Sequence, residues 1–102
     1  MSAPLHFIGI GGIGMSAIAR IFLSRGTAVS GSDVRESALI EQLREAGAKI
    51  TIGHDAKNVR GAYAVVVSSA VDHDNPEYVA AQRAQLPILH RGQSAIGPFI
   101  RH

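Results

Sequence analysis

The spacing of three glycines near the start of the chain, Gly9, Gly11 and Gly14, constrains its fold more than any other feature. The motif begins near the end of an apolar run, residues 5–10, and leads into a segment whose apolar residues recur with helical periodicity from Ile13. A Gly-x-Gly-x-x-Gly turn between a strand and a helix is typical of Rossmann-like units, in which the start of the helix holds a diphosphate. The spacing therefore predicts a nucleotide-binding turn, and a glycine-rich turn without a ligand is the alternative.

Each glycine of this motif has its own expected role. Gly9 permits a tight turn, Gly11 lets a diphosphate approach the backbone, and Gly14 lets the helix pack closely on the strand. On this interpretation Gly11→Val blocks the ligand while the fold survives. Gly14→Val instead overpacks the core and lowers the melting temperature.

The rest of the chain alternates between strand-like and helix-like segments. The strand-like runs after the first are residues 27–32, 49–52, 64–67 and 87–90. Ser37 and Asn75 are suited to cap the second and third helices, and the third is expected to run to about Gln85. Such alternation predicts an α/β fold: a Rossmann-like three-layer α/β/α arrangement with a parallel five-stranded sheet in the order 3-2-1-4-5.

The apolar periodicity also predicts which helix faces are buried. Ile18, Ile21 and Phe22, with Ala17 beside them, are expected to face the core from the first helix. The second helix should bury the face that carries Leu39, Ile40, Leu43 and Ala46. Residues 1–91 are predicted to form one domain, and residues 92–102 a truncated or engineered tail.

Composition narrows the classes of function. The chain has 102 residues, no cysteine and a net charge of +2. The absence of cysteine excludes disulfides and thiol catalysis and fits a cytoplasmic location. The sequence lacks a basic stripe interleaved with aromatic residues, which is the pattern typical of nucleic-acid binding. It also has no apolar run long enough to span a membrane. We therefore expect neither nucleic acid nor a membrane as a partner.

Polar or small residues follow every predicted strand. Asp33 ends the second strand, His54 follows the third, Ser68, Ser69 and Ala70 follow the fourth, and His90-Arg91 ends the fifth. The carboxyl ends of parallel strands form the edge at which open α/β sheets bind ligands. Asp33 is expected to accept hydrogen bonds from ribose hydroxyls, with a capping or solvated aspartate as the alternative.

No catalytic or metal-binding arrangement emerges from the sequence. The glycine turn lacks the Gly-Lys-Ser/Thr of an ATP-binding phosphate loop. The five histidines are scattered without metal-ligand spacing, and His6, inside a strand, is expected to be structural. We therefore expect no catalytic residue and no metal site.

The glycine turn lies within a longer string, His6-Phe7-Ile8-Gly9-Ile10-Gly11-Gly12-Ile13-Gly14-Met15-Ser16, that resembles the start of the Mur ligase family. Ser30-Gly31-Ser32-Asp33, Gly53-His54, Val67-Ser68-Ser69-Ala70 and Asp74-Asn75-Pro76-Glu77 follow in the order typical of the family. The resemblance covers residues 5–91, and residues 92–102 depart from the family.

This resemblance implies an N-terminal domain that binds the UDP part of UDP-N-acetylmuramate in an ATP-dependent ligase of peptidoglycan synthesis. That ligase adds L-alanine, although a recycling ligase for the murein tripeptide shares the same motif. ATP and Mg would belong to the missing central and C-terminal domains, so this chain should need no cofactor and be inactive alone. The implied substrate-binding residues are Gly9, Gly11, Gly12, Ile13, Gly14, Met15, Ser16, Asp33, His54, Ser68, Ser69 and Ala70.

Two other interpretations remain open at this point. The glycines and Asp33 also suit an NAD(P)-binding domain of an oxidoreductase or of a regulatory protein. The second open interpretation is an engineered scaffold derived from such a domain. Met15-Ser16, Gly53-His54 and Ser68-Ser69-Ala70 favour the ligase.

Overall fold

The computed structural model describes residues 3–91, which form one parallel sheet flanked by helices. The elements, in chain order, are β1 (Leu5–Ile8), α1 (Ile13–Ser24), β2 (Val29–Asp33), α2 (Ala38–Glu45), β3 (Lys49–Ile52), a 3₁₀ turn (Ala56–Val59), β4 (Ala64–Val67), α3 (Pro76–Arg83) and β5 (Ile88–His90). The strand order is β3-β2-β1-β4-β5, and every adjacent pair is parallel. The predicted fold class and strand order are confirmed. The predicted tail, residues 92–102, lies outside the described residues.

The two faces of the sheet carry separate apolar cores. One face packs against α1 and α2 through residues that include Leu5, Phe7, Phe22 and Ile40. The other face packs against α3 and the 3₁₀ turn through Ile8, Val65, Val67, Tyr78 and their neighbours. Every residue of β4 is buried, as expected of a parallel strand covered on both faces.

The buried face of α1 differs from the one expected. Met15, Ala19 and Phe22 are buried, whereas Ile21 is 38% exposed and Ala17 is also exposed. Residues four and seven positions after Met15 lie on its face of the helix, so the stripe that faces the sheet begins at Met15. The prediction for Ile21 and Ala17 was therefore wrong, and the same holds for the exposed Ala46 after α2.

The helix ends follow the sequence signals. Gly26 and Gly47 lie beyond α1 and α2 with φ of +82° and +112°, a conformation that glycine adopts without strain. The third helix ends at Arg83, slightly before the expected Gln85, and Gln85 itself takes a φ of 58°. Within residues 3–91, no helix combines the length and the apolar character needed to cross a membrane.

Candidate functional site

A cleft of about 700 Å³ opens at the carboxyl edge of the sheet. All but two of the residues predicted as substrate-binding line it, namely Gly9, Gly11, Gly12, Ile13, Gly14, Met15, Asp33, His54, Ser68 and Ala70. The exceptions are Ser16 and Ser69. The Ser16 side chain is buried in α1 and donates to the Ile13 carbonyl at 3.0 Å, while Ser69 is exposed outside the cleft.

Backbone hydrogen bonds fix the glycine turn against β2. The amides of Gly9 and Ile10 both donate to the Ser32 carbonyl, at 2.9 and 3.0 Å. Gly9 has a φ of +79°, which confirms its predicted role in a tight turn because other residues rarely adopt this angle. The chain then reaches Gly12, the residue that precedes α1.

The start of α1 has no side-chain cap. Gly12 precedes the helix in extended conformation and no side chain accepts from the first turn, which also carries no acidic residue. The first helical hydrogen bond joins the Ser16 amide to the Gly12 carbonyl at 2.7 Å. The preceding amides, Ile13 to Met15, are thus donors without an acceptor in the helix. They lie in residues that line the cleft.

Gly11 lacks a side chain for a reason that the sequence did not reveal. Its amide donates to Asp33 Oδ2 at 2.7 Å, and a Cβ on Gly11 would stand 2.8 Å from that oxygen and 3.1 Å from Ile40 Cδ1. The expectation that only the ligand excludes a side chain at Gly11 was therefore wrong. The fold excludes one as well, since Asp33 and Ile40 occupy the space.

Asp33 ties the loop after β2 to the glycine turn. Oδ2 accepts from Gly11 and Oδ1 accepts from the Val34 amide at 2.7 Å. Both carboxylate oxygens therefore have a backbone partner, in addition to any contact with a ribose. The predicted ribose contact itself stays a prediction.

Gly14 faces a side chain and not the strand. A Cβ at Gly14 would stand 2.5 Å from Arg91 Nη1 and 2.7 Å from Arg91 Cζ. The predicted close packing of the helix on β1 was therefore wrong as the reason for this glycine. Its missing side chain leaves room for the guanidinium of Arg91, which lines the cleft beside the uncapped start of α1.

His54 is held by a polar cluster around a buried carboxylate, which we define as His6, Ser32, His54, Asn58 and Glu77. Glu77 lies at its centre with no exposed surface. One of its carboxylate oxygens accepts from His6 Nε2 and Ser32 Oγ, each at 2.7 Å. The other accepts from Asn58 Nδ2 at 2.8 Å and from the Asp55 amide at 3.1 Å. Every buried side-chain nitrogen and oxygen within residues 3–91 has a partner.

The donors around Glu77 keep it ionised. Burial alone would raise its pKa, but hydrogen bonds from His6, Asn58 and Ser32 and the charge interaction with His6 lower the pKa from 4.5 to about 2. His6 is itself buried and contacts Ser30 Oγ at 2.8 Å through Nδ1. These contacts agree with the expected structural role of His6.

The sequence did not identify Glu77 as the centre of the polar cluster. From the sequence, Glu77 was named only within the string Asp74-Asn75-Pro76-Glu77 that resembles the family, since the strand residues that meet Glu77 are distant in sequence. Other cleft residues outside the predicted set include Val34, Arg35, Ser37, Val71, Asp72 and Asn75. Arg91 was expected at this edge but was not assigned to the site.

The residues present do not fit an ATP–Mg site. The only lysines, Lys49 and Lys57, lie outside the cleft and are exposed, whereas a phosphate loop needs a lysine at the β- and γ-phosphates. Among residues 3–91 there is also no group of three histidine, aspartate or glutamate side chains that could hold a metal ion. The cleft offers amide and guanidinium donors instead.

Comparisons with known proteins identify the family of the chain. The family model described as "Mur ligase family, catalytic domain" matches residues 4–99. A UDP-N-acetylmuramate–L-alanine ligase from Paenarthrobacter aurescens is 51% identical over 96% of the chain and 22% of its own length. The chain thus spans about a fifth of that relative.

Solved structures show the same fold. A UDP-N-acetylmuramate–alanine ligase from Thermotoga maritima has a TM-score of 0.88 and 39% identity, over 96% of this chain and 23% of that one. A UDP-N-acetylmuramate:L-alanyl-γ-D-glutamyl-meso-diaminopimelate ligase from Neisseria meningitides has a TM-score of 0.85 and 26% identity, over 100% of this chain and 32% of that one. By its sequence and its fold, the chain belongs to the Mur ligase family.

Proposed function

We propose that this chain binds the UDP moiety of UDP-N-acetylmuramate, as the N-terminal substrate-binding domain of a longer ligase that joins this sugar nucleotide to L-alanine. The observation that carries the proposal is the uncapped start of α1, with Arg91 beside it at the cleft. Free amide donors, the positive end of the helix dipole and a guanidinium all favour a phosphate group there.

The width of the cleft suits a nucleoside diphosphate. Neighbouring strands lie ~4.8 Å apart, so the end of β3 is about 10 Å from the end of β1. In this arrangement the diphosphate meets the start of α1, which follows β1. The ribose lies near Asp33, at the end of β2, and the base lies toward His54, after β3. Ser68 and Ala70, at the end of β4, lie on the opposite side of the diphosphate.

The amide ligase reaction needs parts that this chain does not supply. ATP and Mg²⁺ provide the activated phosphate in ligases of this type, and the cleft has no lysine to meet it. We assign that chemistry and the amino-acid site to the central and C-terminal domains of the longer enzyme. The contribution of the present residues is to hold the nucleotide end of the substrate.

The test is a titration of the ¹⁵N-labelled chain with UDP and, separately, with NAD⁺. We expect UDP to shift the amide signals of Ile13, Gly14 and Met15, with weak affinity because a single domain does not enclose the sugar. Arg91→Ala should weaken UDP binding about fivefold or more, since a hydrogen bond to a charged group is worth ~1.5–3 kcal/mol when it is shielded and less when exposed. Shifts with NAD⁺ and none with UDP would contradict the proposal.

A further inference from the structure

The contacts of Ser32 fix the position of one proton on His54. Ser32 Oγ carries a single proton, and it donates that proton to Glu77 at 2.7 Å. At 2.9 Å from His54 Nδ1, the same oxygen can then act only as an acceptor. His54 Nδ1 therefore carries a proton, so that in the uncharged form of the ring the lone pair lies on Nε2.

The other ring nitrogen of His54 is accessible to a ligand. His54 lines the cleft and its side chain is 20% exposed. Its side-chain partners within residues 3–91 are Ser32 and Glu77, and both contact Nδ1. Since no buried side-chain nitrogen in the described residues lacks a partner, Nε2 lies at the surface of the cleft, where a ligand can reach it.

We propose that Glu77 is a positioning residue that acts through Ser32 to hold His54 in the Nδ1–H tautomer, so that Nε2 accepts a hydrogen bond from the bound nucleotide. This inference rests on the proposed function, because it assigns a further contact within the same cleft. The ligand group must be a donor. In UDP the candidates are the N3–H of the base and a ribose hydroxyl, which share this chemistry. CDP lacks the first donor, and 2′-deoxy-UDP and 3′-deoxy-UDP each lack one of the hydroxyl donors.

The tautomer is measured directly and without any ligand. Long-range ¹H–¹⁵N spectra of the ¹⁵N-histidine-labelled chain at neutral pH distinguish a protonated ring nitrogen from one with a lone pair. We expect the Nδ1–H form for His54. The Nε2–H form in the wild-type chain would overturn the inference, whether or not UDP binds.

Two serine variants on the same strand separate positioning from a general loss of structure. Ser32→Ala removes the link to His54, whereas Ser30→Ala removes only a contact to His6. We expect Ser32→Ala to give a mixture of His54 tautomers and about three- to tenfold weaker UDP binding, the effect of one hydrogen bond. Ser30→Ala should leave the tautomer and the affinity unchanged. Equal UDP affinity for the two variants would overturn the inference.

The nucleotide series then identifies the donor. Binding of CDP that is three- to tenfold weaker than that of UDP assigns the contact to the base N3–H, and the same loss for 2′-deoxy-UDP or 3′-deoxy-UDP assigns it to the ribose. Equal binding of UDP, CDP, 2′-deoxy-UDP and 3′-deoxy-UDP would overturn the assignment of an acceptor role to Nε2. If the wild-type chain binds none of them, the proposed function fails, and the tautomer spectra still decide whether the Glu77–Ser32 arrangement holds His54.

Discussion

The first turns of α1 and α3 differ in how their backbone donors are satisfied. At α3 the Asn75 side chain accepts from the amides of Glu77 and Tyr78, and Pro76 removes one donor. At α1 Gly12 provides no side chain and the first turn has no acid. One helix start is closed by its own residues and the other is open to the cleft.

On the proposed function, the capped start of α3 serves the fold and the uncapped start of α1 serves the ligand. Replacing a capping residue by alanine typically costs about 1 kcal/mol of stability, whereas replacing it by glycine, the residue at the start of α1, costs only a few tenths of a kcal/mol. A closed start cannot bind an anion, because its donors and its dipole are already used. The following variants test this contrast at both ends of the site, beginning with the largest expected effect.

Removal of the Glu77 carboxylate, in the first turn of α3, should have the largest effect on stability. Glu77→Ala leaves His6, Ser32 and Asn58 without their buried acceptor, and we expect it to destabilise the fold by about 3–5 kcal/mol. Urea unfolding measures this loss. Glu41→Ala, an exposed acid in the first turn of α2, is the matched control and should unfold as the wild type does. A similar loss of unfolding free energy in both variants would show that the polar cluster contributes no more to stability than an exposed acid does.

Low pH should destabilise the fold through the same carboxylate, that of Glu77. The pKa of Glu77 is about 2 in the folded state, below its ordinary 4.5. The stability that the ionised Glu77 carboxylate gives to the fold is therefore fully present above pH ~4.5 and is lost as the pH falls toward about 2. The pKa difference corresponds to about 3 kcal/mol. Urea unfolding at a series of pH values measures this loss, and Glu77→Gln should lack this part of the pH dependence. Parallel curves for the two proteins would contradict the assignment.

A capping residue at the start of α1 should raise the stability of the fold and weaken UDP binding. A Cβ at Gly12 meets only ordinary contacts, 3.5 Å from the Gly9 carbonyl and 3.9 Å from Met15. Gly12→Asp can therefore cap α1 and should add about 0.5–1 kcal/mol of stability. Its charge should reduce UDP affinity tenfold or more. Gly12→Asn caps without charge, so it should stabilise the fold by only a few tenths of a kcal/mol and weaken UDP binding less. Unchanged UDP binding by Gly12→Asp would place the diphosphate elsewhere.

The smallest change in stability is expected at Gly14. Gly14→Ala displaces only the Arg91 side chain, and alanine favours a helix by up to about 1 kcal/mol over glycine. The melting temperature should stay near that of the wild type while UDP affinity falls. Because both variants disturb one contact, Gly14→Ala combined with Arg91→Ala should bind no more weakly than Arg91→Ala alone. Additive losses would indicate that the two residues act independently.

The sequence was sufficient to predict the sheet, its order and the edge that carries the cleft. Alternating apolar runs and helix caps are local signals, and right-handed connections convert them into one topology. The contacts at Asp33 with Gly11 and at Arg91 with Gly14 were not predictable in this way. Each joins residues whose distance in space depends on how three or more elements pack.

The glycine motif shows where sequence reasoning misassigned a cause. The pattern correctly located the turn, but the general roles of its glycines did not apply to Gly11 and Gly14. At both positions a charged side chain from elsewhere in the chain fills the space that a Cβ would need. Burial of Glu77 was equally hidden, since a first-turn acid is ordinarily a solvated residue that favours the helix dipole.

The position of Glu77 also affects the order in which the chain can fold. His6 on β1 meets its carboxylate 71 residues later in the chain. The central strand therefore cannot gain its acceptor until the chain through the start of α3 has emerged from the ribosome. Closing so long a loop makes this step slower than local helix formation. Chains that end before Pro76 would have to desolvate the imidazole of His6 without its anionic partner, so the first strands become stable only when nearly the whole domain has been made.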